Sequence, residues 1–596
     1  MKRLALVLLL VLAACRLPSP PRPGGDGPAP PDPGARPGGP VLFFSDLTDG
    51  AVQGWDGSSA KGAAVTVWGL GFGSARGSGY VSIGDVRLAR DDDYAEWGAS
   101  ERPQTARGLE RITFWLNPGV PLGETRITVT VGGRTSNPLP FHTRREGRIF
   151  FVAPDGDDDQ PGTLSAPWRS FAKVRTSVRA GDAVYFREGL WTEEDHLSGG
   201  SKHAVLELYD FDNPPEFGFA DGEPGRSIAL ASYPGELARI GTGSATDGAD
   251  RFVMRYDAAG SDGLRYWTFS KFVINTYDYN FAWNASVHDN KDVGLRIVGN
   301  DLTSTRNDLT HGHLINVFSN AEGLQILGNY MHDCGRSDGQ PGAHKTVPVY
   351  FAGGGVSGRV EIGWNEMTRC NKSLQVFGHF TGDRLEHLIV HDNFLHDNKT
   401  STVFGGGDPQ RGQSGYAPYT FVQRAEIYNN VFARLEGDFR VDAGSNGLGG
   451  DYEVHHNVFF DIAQISMIHV VAPRRFVFHH NLVVTSPEHR VYNYHGSSNA
   501  GYPDDPPTRV ETGHHNLWYG LPPQKQPGWS RDDLNATDPR FVRWPPRTLL
   551  DFRLADGSPA VDLGGPSPRT RDIVGTPAPL GRGHDAGPFE HVPAGR

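Results

Sequence analysis

The sequence lacks three features that would each indicate a familiar class of protein. The apolar run near the N-terminus, Leu4 to Ala14, has 11 residues, whereas a membrane-spanning helix needs about 20. A net charge of −12 with both signs evenly scattered leaves no basic face, which argues against a nucleic-acid-binding protein. Helical spacing of apolar residues is almost absent from about residue 270 onward, and abundant glycine and proline favour turns. The expected partners are therefore sugars or proteins.

Cysteine is scarce as well, with three in the chain. The first, Cys15, ends the phrase Leu-Ala-Ala-Cys behind two early cations and the short apolar run, which is the pattern of an export signal over residues 1–15. Small residues directly before a cysteine resemble the lipobox of bacterial lipoproteins; the alternative is a free cysteine in an ordinary cleavable signal. The resemblance implies a diacylated Cys15 that anchors the chain in a membrane. Because Arg16 rather than Asp follows, we expect an outer-membrane or cell-surface location in a Gram-negative cell.

Two segments separate this signal from the main body of the chain. Residues 16–40 are almost entirely Pro, Gly, Ala, Asp and Arg, which predicts an extended tether. Residues 41–145 contain short alternating strands between turn residues, such as AAVTVWGLGFG (63–73) and TRITVTVGG (125–133), a spacing typical of a β-sandwich. These glycines and the closing VTVGGRTSNPLPFH resemble the immunoglobulin-like IPT/TIG domain, which implies a spacer without chemistry of its own. A generic sandwich would imply the same.

The body of the chain, 148–592, repeats one short phrase in which an alternating strand ends in Asn. The intervals between Asn300 and Asn516 range from 24 to 37 residues, which suits coils with loops of varying length. The phrases are FVIN (272–275), LRIVGN (295–300), LQILGN (324–329), VEIGWN (360–365), LIVHDN (388–393), AEIYNN (425–430), YEVHHN (452–457), FVFHHN (476–481) and ETGHHN (511–516).

This repeat predicts an all-β chain, a right-handed parallel β-helix preceded by the small immunoglobulin-like β-sandwich. An Asn at a sharp turn tolerates the left-handed conformation and can hydrogen-bond to its copy in the next coil, so we predict an asparagine ladder. Apolar positions such as Leu295 and Ile297 would stack inside as columns. A second strand follows in most coils, as in HLINVF (313–318) and FRVDAG (439–444).

The two remaining cysteines test this register. Cys334 lies five residues after Asn329, and Cys370 lies five residues after Asn365. Equivalent positions of adjacent coils stack at about 4.8 Å, which is within the Cα separation of a disulfide. The register therefore predicts a Cys334–Cys370 disulfide, with two buried free thiols as the alternative.

Both ends of the body resemble pectate-lyase-like β-helix proteins. The entry is FFVAPDGDDDQPGTLSAPWRSFAKV (150–174), and the closing segment includes DFRLADGSPAVDLG (551–564). The resemblance implies an N-terminal capping helix from about residue 167, with Trp168, Phe171 and Val174 facing the open core. Lyases, hydrolases, epimerases and adhesins share this scaffold, so the fold alone does not fix the function.

Uronate lyases need a base beside the carbon next to a carboxylate, and a cation that neutralises this carboxylate. The densest polar region runs from His311 to Lys372. There we predict His313, Lys345 and Tyr350 as catalytic residues, with solvated loop residues and stacked surface histidines as the alternative. Lys372 and His379 are predicted substrate contacts.

Two further groups suggest ligands. Arg440 and Asp442 alternate with apolar residues on a second strand and therefore share one outer face. They are predicted to bind a sugar carboxylate and a hydroxyl or metal, or else to form a surface ion pair. The DGDDD loop predicts a Ca²⁺ site at Asp155, Asp157 and Asp159, unless it is an Asx-rich turn.

The His-His-Asn triples at 455–457, 479–481 and 514–516 suggest a metal site at first. Adjacent residues on a strand point to opposite faces, however, so we expect stacked histidines at the turn instead.

No cluster matches the aspartate triad of polygalacturonase-like hydrolases, and no coil matches a lyase motif residue by residue. The sequence therefore predicts a cell-surface polysaccharide-active protein, first a lyase on an acidic polysaccharide and second a non-catalytic glycan-binding or adhesive lipoprotein. We expect a monomer held to the membrane by its N-terminal lipid, with a polysaccharide and no nucleic acid as partner. Ca²⁺ is the cofactor to test.

Overall fold

The computed structural model describes residues 39–54, 61–99, 108–145, 147–193, 204–210, 218–244, 250–257, 263–285, 291–305, 312–335, 346–353, 355–378, 383–400, 402–405, 421–442, 450–462, 466–471, 474–485, 490–494, 511–521, 528–565 and 567–593. No helix within these ranges is long and apolar enough to cross a lipid bilayer. The chain is nearly all β, and its strands form a sandwich followed by a parallel β-helix.

The sandwich has two sheets that enclose one apolar core, to which Val67, Phe114, Ile127 and Phe141 contribute buried side chains. The first consists, in spatial order, of Val41–Ser45, Ala64–Leu70, Glu110–Trp115 and Tyr94–Ala99. The second consists of Asp49–Ala51, Leu139–Arg144, Gly123–Val131, Tyr80–Ile83 and Val86–Arg87, with Arg134–Thr135 beside Gly123–Val131. A 3₁₀ turn spans Asp91–Asp93.

Each coil of the β-helix passes through three parallel sheets in turn, which we call the first, second and third sheets. The first sheet contains Ile149–Val152, Ala183–Phe186, Ile228–Ser232, Trp267–Ser270, Arg296–Val298, Leu324–Leu327, Val356–Gly363, Arg384–His391, Arg424–Tyr428, Asp451–His455, Arg475–His479, Glu511–His514 and Ser530–Arg531. The second sheet contains Gly189–Trp191, Ala238–Ile240, Val273–Thr276, Asp301–Ser304, Tyr330–Cys334, Glu366–Thr368, Phe394–His396, Val431–Ala433, Val458–Phe460, Leu482–Val484, Leu517–Tyr519 and Leu534–Asn535.

The third sheet contains Ala204–Asp210, Arg251–Asp257, Phe281–Ala285, Ile315–Phe318, Val349–Phe351, Leu374–Phe377, Thr402–Gly405, Phe439–Asp442, Ser466–Val471 and Arg490–Tyr494. Two further short strands of successive coils, Lys291–Val293 and Asn320–Glu322, pair in parallel. Apolar side chains of all three sheets meet in one continuous core, as the sequence predicted for Leu295 and Ile297.

The sequence predicted two strands per coil, whereas the structure has three. The strands of the second sheet are the ones that the prediction lacked. Most second-sheet strands have three residues, which is too short for an alternating pattern to appear. One phrase was also assigned wrongly. Asn275 lies on the second-sheet strand Val273–Thr276 and is not a rung of the ladder. Phe272 takes that position, and its N–H donates to Asn300 Oδ1 at 3.0 Å.

The asparagine ladder itself is confirmed. Each side-chain oxygen accepts from the preceding rung, as when Asn365 Oδ1 accepts from Asn329 N at 2.9 Å and Asn329 Nδ2 at 3.0 Å. The eight asparagine rungs among the described residues are all buried. They are Asn300, Asn329, Asn365, Asn393, Asn430, Asn457, Asn481 and Asn516.

The predicted reason for the asparagines was partly wrong, because the left-handed backbone lies one residue earlier. The residues with positive φ include Gly299, Gly328, Trp364, Asp392, Asn429, His456, His480 and His515. That residue turns the chain, and the Asn after it is left free to direct its amide along the stacking direction. The ladder therefore selects Asn for its hydrogen bonds rather than for its φ.

A short helix, Phe171–Ser177, covers the open end of the core as predicted, although it starts later than residue 167. The Ser170 hydroxyl accepts from the N–H of Lys173 and caps the helix. Trp168, Phe171 and Val174 are buried against the core. A 3₁₀ turn, Leu549–Phe552, belongs to the C-terminal segment.

The predicted disulfide is present, with Cys334 and Cys370 bonded and their Cα atoms 4.5 Å apart. The pairing of Tyr330 with Glu366 sets this register. The two half-cystines therefore close one coil of the β-helix onto the next.

The sandwich packs against the outer side of the first sheet through polar and aromatic contacts. Lys271 Nζ donates to Asp46 Oδ2 at 2.7 Å, and both side chains are buried. Arg296 donates to the carbonyl of Ser45 at 2.6 Å, and burial lowers the pKa of its guanidinium to about 10. The ring of Phe44 lies 5.2 Å from that of Trp364. The sandwich and the β-helix thus share an interface in which the side chains of Lys271, Asp46 and Arg296 are buried.

Candidate functional site

The outer face of the third sheet brings polar side chains of successive coils into one line, which we call the outer column. Strand pairing places Asn316 beside Tyr350, Tyr350 beside Gln375, and Val403 beside Arg440, with Gln375 next to Val403. Parallel strands are about 4.8 Å apart, so Arg440 lies three rungs, roughly 14 Å, from Tyr350. The column is therefore a track of polar residues across the coils that Val403 interrupts between Gln375 and Arg440.

His313 and Tyr350, which the sequence placed beside strands of successive coils, are in contact. Their rings stack with centroids 4.4 Å apart and an angle of 18° between the planes. His313 is 2% exposed and Tyr350 is 8% exposed. His313 is thus shielded and positions the phenol ring, whereas Tyr350 is the nearer of the two to the surface. Their catalytic roles stay predictions.

The cationic candidates occupy the same face. Lys372 is partly buried and its Nζ donates to Gln375 Oε1 at 2.7 Å. Arg440 is partly exposed between Phe439 and Val441, which are fully buried. Asp442 ends the same strand. Sequence analysis missed Gln375, although an alignment of the strands that form the third sheet would have identified it.

Three predicted site residues lie outside the described residues, namely Lys345, His379 and Cys15. The side chain of Asp442 does as well. The predicted base, a substrate contact and the lipidation site therefore stay predictions.

The DGDDD loop is held together by its own hydrogen bonds. Asp157 Oδ1 accepts from the N–H of Asp159 at 3.0 Å, and Asp157 Oδ2 accepts from Gln160 at 3.3 Å. Asp158 Oδ1 accepts from the N–H of Arg169, which lies just before the helix Phe171–Ser177. The loop has the geometry of an Asx turn, and in the described ranges its carboxylates do not form a three-ligand group. The Ca²⁺ site at Asp155, Asp157 and Asp159 stays a prediction.

A pocket of about 380 Å³ lies elsewhere, between the first sheet, sandwich residues 42–43 and the C-terminal segment. On its floor His391 contacts Asp392 at 2.7 Å and Glu361 at 3.1 Å. Burial lowers the pKa of His391, but the bonds to these carboxylates outweigh it and raise the pKa to about 9. Burial raises the pKa of Glu361, and the bond to His391 outweighs it and lowers the pKa to about 2.

This pocket holds ionised groups that satisfy one another. Both ring nitrogens of His391 donate to carboxylates, so the ring has no lone pair with which to accept a substrate proton. The face of Tyr428 stacks on it at 5.2 Å. We therefore regard the pocket as structural and the outer column as the candidate site.

The histidine triples stack at the turn, as predicted. His455 lies 4.9 Å from His479, which lies 4.9 Å from His514, with nearly parallel rings. His456 and His480 form a second stack with centroids 4.6 Å apart.

No family model matches the chain. The pectate lyase PEL9 of Emericella nidulans is 29% identical to it over 125 residues, which is 20% of this chain and 26% of that lyase. The chain thus matches about a quarter of the length of this curated relative.

Two solved structures are similar at low identity. The pectate lyase Pel9A has a TM-score of 0.40 at 13% identity and covers 75% of this chain and 97% of its own. A rhamnogalacturonan lyase has a TM-score of 0.37 at 15% identity, with 69% and 95% covered. The pairing of the strands themselves establishes the parallel β-helix.

Proposed function

We propose that the protein is a polysaccharide lyase that acts on an acidic polysaccharide bound along the outer column. The observation that carries this proposal is the register of the third sheet, which aligns Tyr350, Gln375 and Arg440 on one face over four coils. A linear polymer fits such a track, because each coil repeats the same spacing. The short match to a pectate lyase supports the same substrate class.

The proposed chemistry assigns one task to each polar group. Arg440, three rungs from Tyr350, pairs with the carboxylate of a uronate farther along the bound polymer. Lys372 lies beside Gln375, the neighbour of Tyr350, and pairs with the carboxylate of the reacting uronate, which withdraws charge from the neighbouring carbon. Lys345, four residues before the strand Val349–Phe351 in sequence, removes the proton from that carbon. The bond from the adjacent carbon to the glycosidic oxygen then breaks, which leaves a double bond in the new end sugar, and the departing oxygen takes up a proton from solvent to become a hydroxyl. The proposed role of Tyr350, whose ring stacks on that of His313, is to orient this sugar.

The proposed lipid on Cys15 fits this function, since it would retain the enzyme at the cell surface, where polysaccharides are encountered. Phase partitioning of the full-length protein in detergent, compared with the variant Cys15→Ser, tests this attachment separately from catalysis.

The activity is tested by incubating the purified full-length protein with uronate polymers, with and without Ca²⁺, and following the ultraviolet absorbance of unsaturated products. We expect product from at least one polymer. Lys345→Ala should abolish it, and Arg440→Gln should lower kcat/KM by at least about tenfold through the lost carboxylate contact.

The matched control is Arg384→Gln, which removes an outward arginine of the first sheet that pairs with Glu386. It should leave the rate unchanged. If no polymer yields product under either condition, the lyase proposal is wrong. Retained binding of a polymer without product would instead favour a glycan-binding role.

A further inference from the structure

Three histidine pairs form a double column at the turn between the first and second sheets. Within each pair the Nδ1 atoms face one another. The distances are 2.9 Å for His455 and His456, 2.8 Å for His479 and His480, and 3.0 Å for His514 and His515.

Both rings of a pair lie on the same side because the second histidine is not on the strand. His456 and His480 each have a φ of 53°, in the left-handed region. The turn redirects their side chains, so the expectation that adjacent residues diverge fails at this position. The sequence could not show this, since the left-handed residue is a glycine in earlier coils such as Gly299 and Gly328.

The middle of the column is sealed from solvent. His456 and His480 are fully buried and His479 is 2% exposed. The C-terminal segment covers them, with the ring of His584 5.6 Å from His456 and the N–H of Gly587 donating to the His480 carbonyl at 2.7 Å. A ligand held here would be enclosed by the protein.

The second nitrogen of each ring in the middle pair is already committed to an acceptor. His479 Nε2 contacts Glu453 Oε1 at 3.2 Å, and His480 Nε2 contacts the carbonyl oxygen of Gly564. An ionised carboxylate and a carbonyl can only accept, so both Nε2 atoms must carry protons. Two neutral rings would then direct Nδ1 lone pairs at each other at 2.8 Å, which is repulsive without a cation between them.

These outer contacts are the ones found around metal-bound histidines. A ligating imidazole almost always donates its other N–H to a carboxylate or a backbone carbonyl, which fixes the ring and raises its basicity. In addition, His456 Nε2 is buried without a hydrogen-bond partner among the described residues. One ring nitrogen from each of His456, His479 and His480 lies within 4.8 Å of the others.

We propose that His456, His479 and His480 bind a divalent transition-metal cation of the zinc class. Neutral imidazole suits zinc, copper and nickel, whereas calcium and magnesium require oxygen ligands. Metal–nitrogen bonds of 2.0–2.1 Å in a tetrahedral site place nitrogens about 3.3 Å apart. The middle pair, at 2.8 Å, must therefore open by roughly half an ångström, and the ring of His456 must turn out of its parallel stack on His480 to direct a nitrogen at the same cation. The bound cation ties two coils together beneath the C-terminal segment and plays no part in the proposed lyase reaction.

The test uses full-length protein purified without a polyhistidine tag. Elemental analysis after dialysis should find close to one equivalent of zinc-class metal per chain. After removal of this metal with a chelator, titration with Co²⁺ should produce the visible absorption of a tetrahedral site, and Zn²⁺ should raise the melting temperature.

Two single variants distinguish a histidine that binds the metal from a histidine that only stacks in the column. His456→Asn removes a ligand at a position that Asn429 occupies in an earlier coil with a φ of 55°, so the backbone tolerates the change. We expect it to weaken Co²⁺ binding by at least about tenfold. His515→Asn changes the same column one coil later, outside the three ligands, and should bind Co²⁺ like the unaltered protein.

Two results would overturn the proposal. One is unaltered protein that retains no metal and gives no Co²⁺ absorption, which would leave a shared proton between His479 and His480. The other is a His456→Asn variant that binds Co²⁺ as tightly as the unaltered protein. If His456→Asn does not fold, the elemental analysis and the Co²⁺ spectrum of the unaltered protein still decide.

Discussion

At the scale of single residues, His391 shows how neighbours from different coils set the charge of a side chain. Glu361 is on the strand of the preceding coil, and Asp392 is the left-handed residue of the turn. Together these carboxylates keep the buried imidazole protonated at neutral pH. The sequence indicated none of this, because Glu361 and His391 are thirty residues apart.

This coupling predicts a loss of stability at alkaline pH. The pKa of His391 is raised from 6.5 to about 9, so its contribution is complete below pH 6.5 and disappears as the pH rises through 9. The loss amounts to at most about 3 kcal/mol of unfolding free energy. The pKa of Glu361 is lowered from 4.5 to about 2, so its contribution is lost only as the pH falls from 4.5 through 2.

Chemical denaturation at pH 6 and pH 10 measures the effect in the unaltered protein and in His391→Gln. We expect the variant to be less stable at pH 6 and to lose less stability between the two values. An equal loss in both proteins would show that His391 does not contribute to the pH dependence.

At the scale of the repeated element, one Asn side chain connects three coils. Asn393 Oδ1 accepts from Asn365 N at 2.9 Å and from Asn365 Nδ2 at 3.0 Å. Its own Nδ2 donates to Asn430 Oδ1 and to the carbonyl of Ile362, each at 2.9 Å. Because all of these groups are buried, water cannot replace a missing partner.

Asn393→Ala should therefore lower the free energy of unfolding by about 3 kcal/mol or more, since it leaves two buried donors of Asn365 and one carbonyl unsatisfied. The control is Asn275→Ala. Asn275 lies outside the ladder, and its Nδ2 donates to the carbonyl of Thr242 at 3.3 Å, so its loss should cost less than about 1 kcal/mol. Equal costs in the two variants, measured by denaturant unfolding, would contradict a stabilising ladder.

At the scale of the whole molecule, the sandwich is fastened to the β-helix by a buried charge pair. Asp46 Oδ1 accepts from the N–H groups of Leu47 and Thr66, both at 2.8 Å, while Oδ2 accepts from Lys271. Lys271 takes the left-handed position of its coil with a φ of 63°. The carboxylate of Asp46 therefore neutralises the buried ammonium of Lys271.

Asp46→Ala should destabilise the molecule by about 3–5 kcal/mol, because it leaves the Lys271 ammonium buried without its counter-ion. Calorimetry should also show the sandwich unfolding in a transition of its own. Glu386→Ala, which breaks an exposed pair with Arg384, should change stability by less than about 1 kcal/mol. A single transition at an unchanged temperature in Asp46→Ala would refute the role of this contact.

The sequence predicted the features that recur in every coil. The apolar alternation, the Asn at a fixed place and the two cysteines depend only on local periodicity, so they gave the β-helix, the ladder and the Cys334–Cys370 disulfide. It failed for the three-residue strands of the second sheet, which are too short to show a period. It also failed for the residue that turns the chain, because glycine, aspartate, tryptophan and histidine all occur there.

The sequence by itself thus determined the fold, since each coil repeats the same apolar alternation and the same Asn position. The tertiary structure alone decided which side chains meet. Tyr350 and Arg440 share a face because three loops of unequal length return the chain to the same register. His456 and His480 face His455 and His479 because a left-handed turn redirects their side chains. Contacts between coils join residues far apart in the chain, and local patterning carries no information about them.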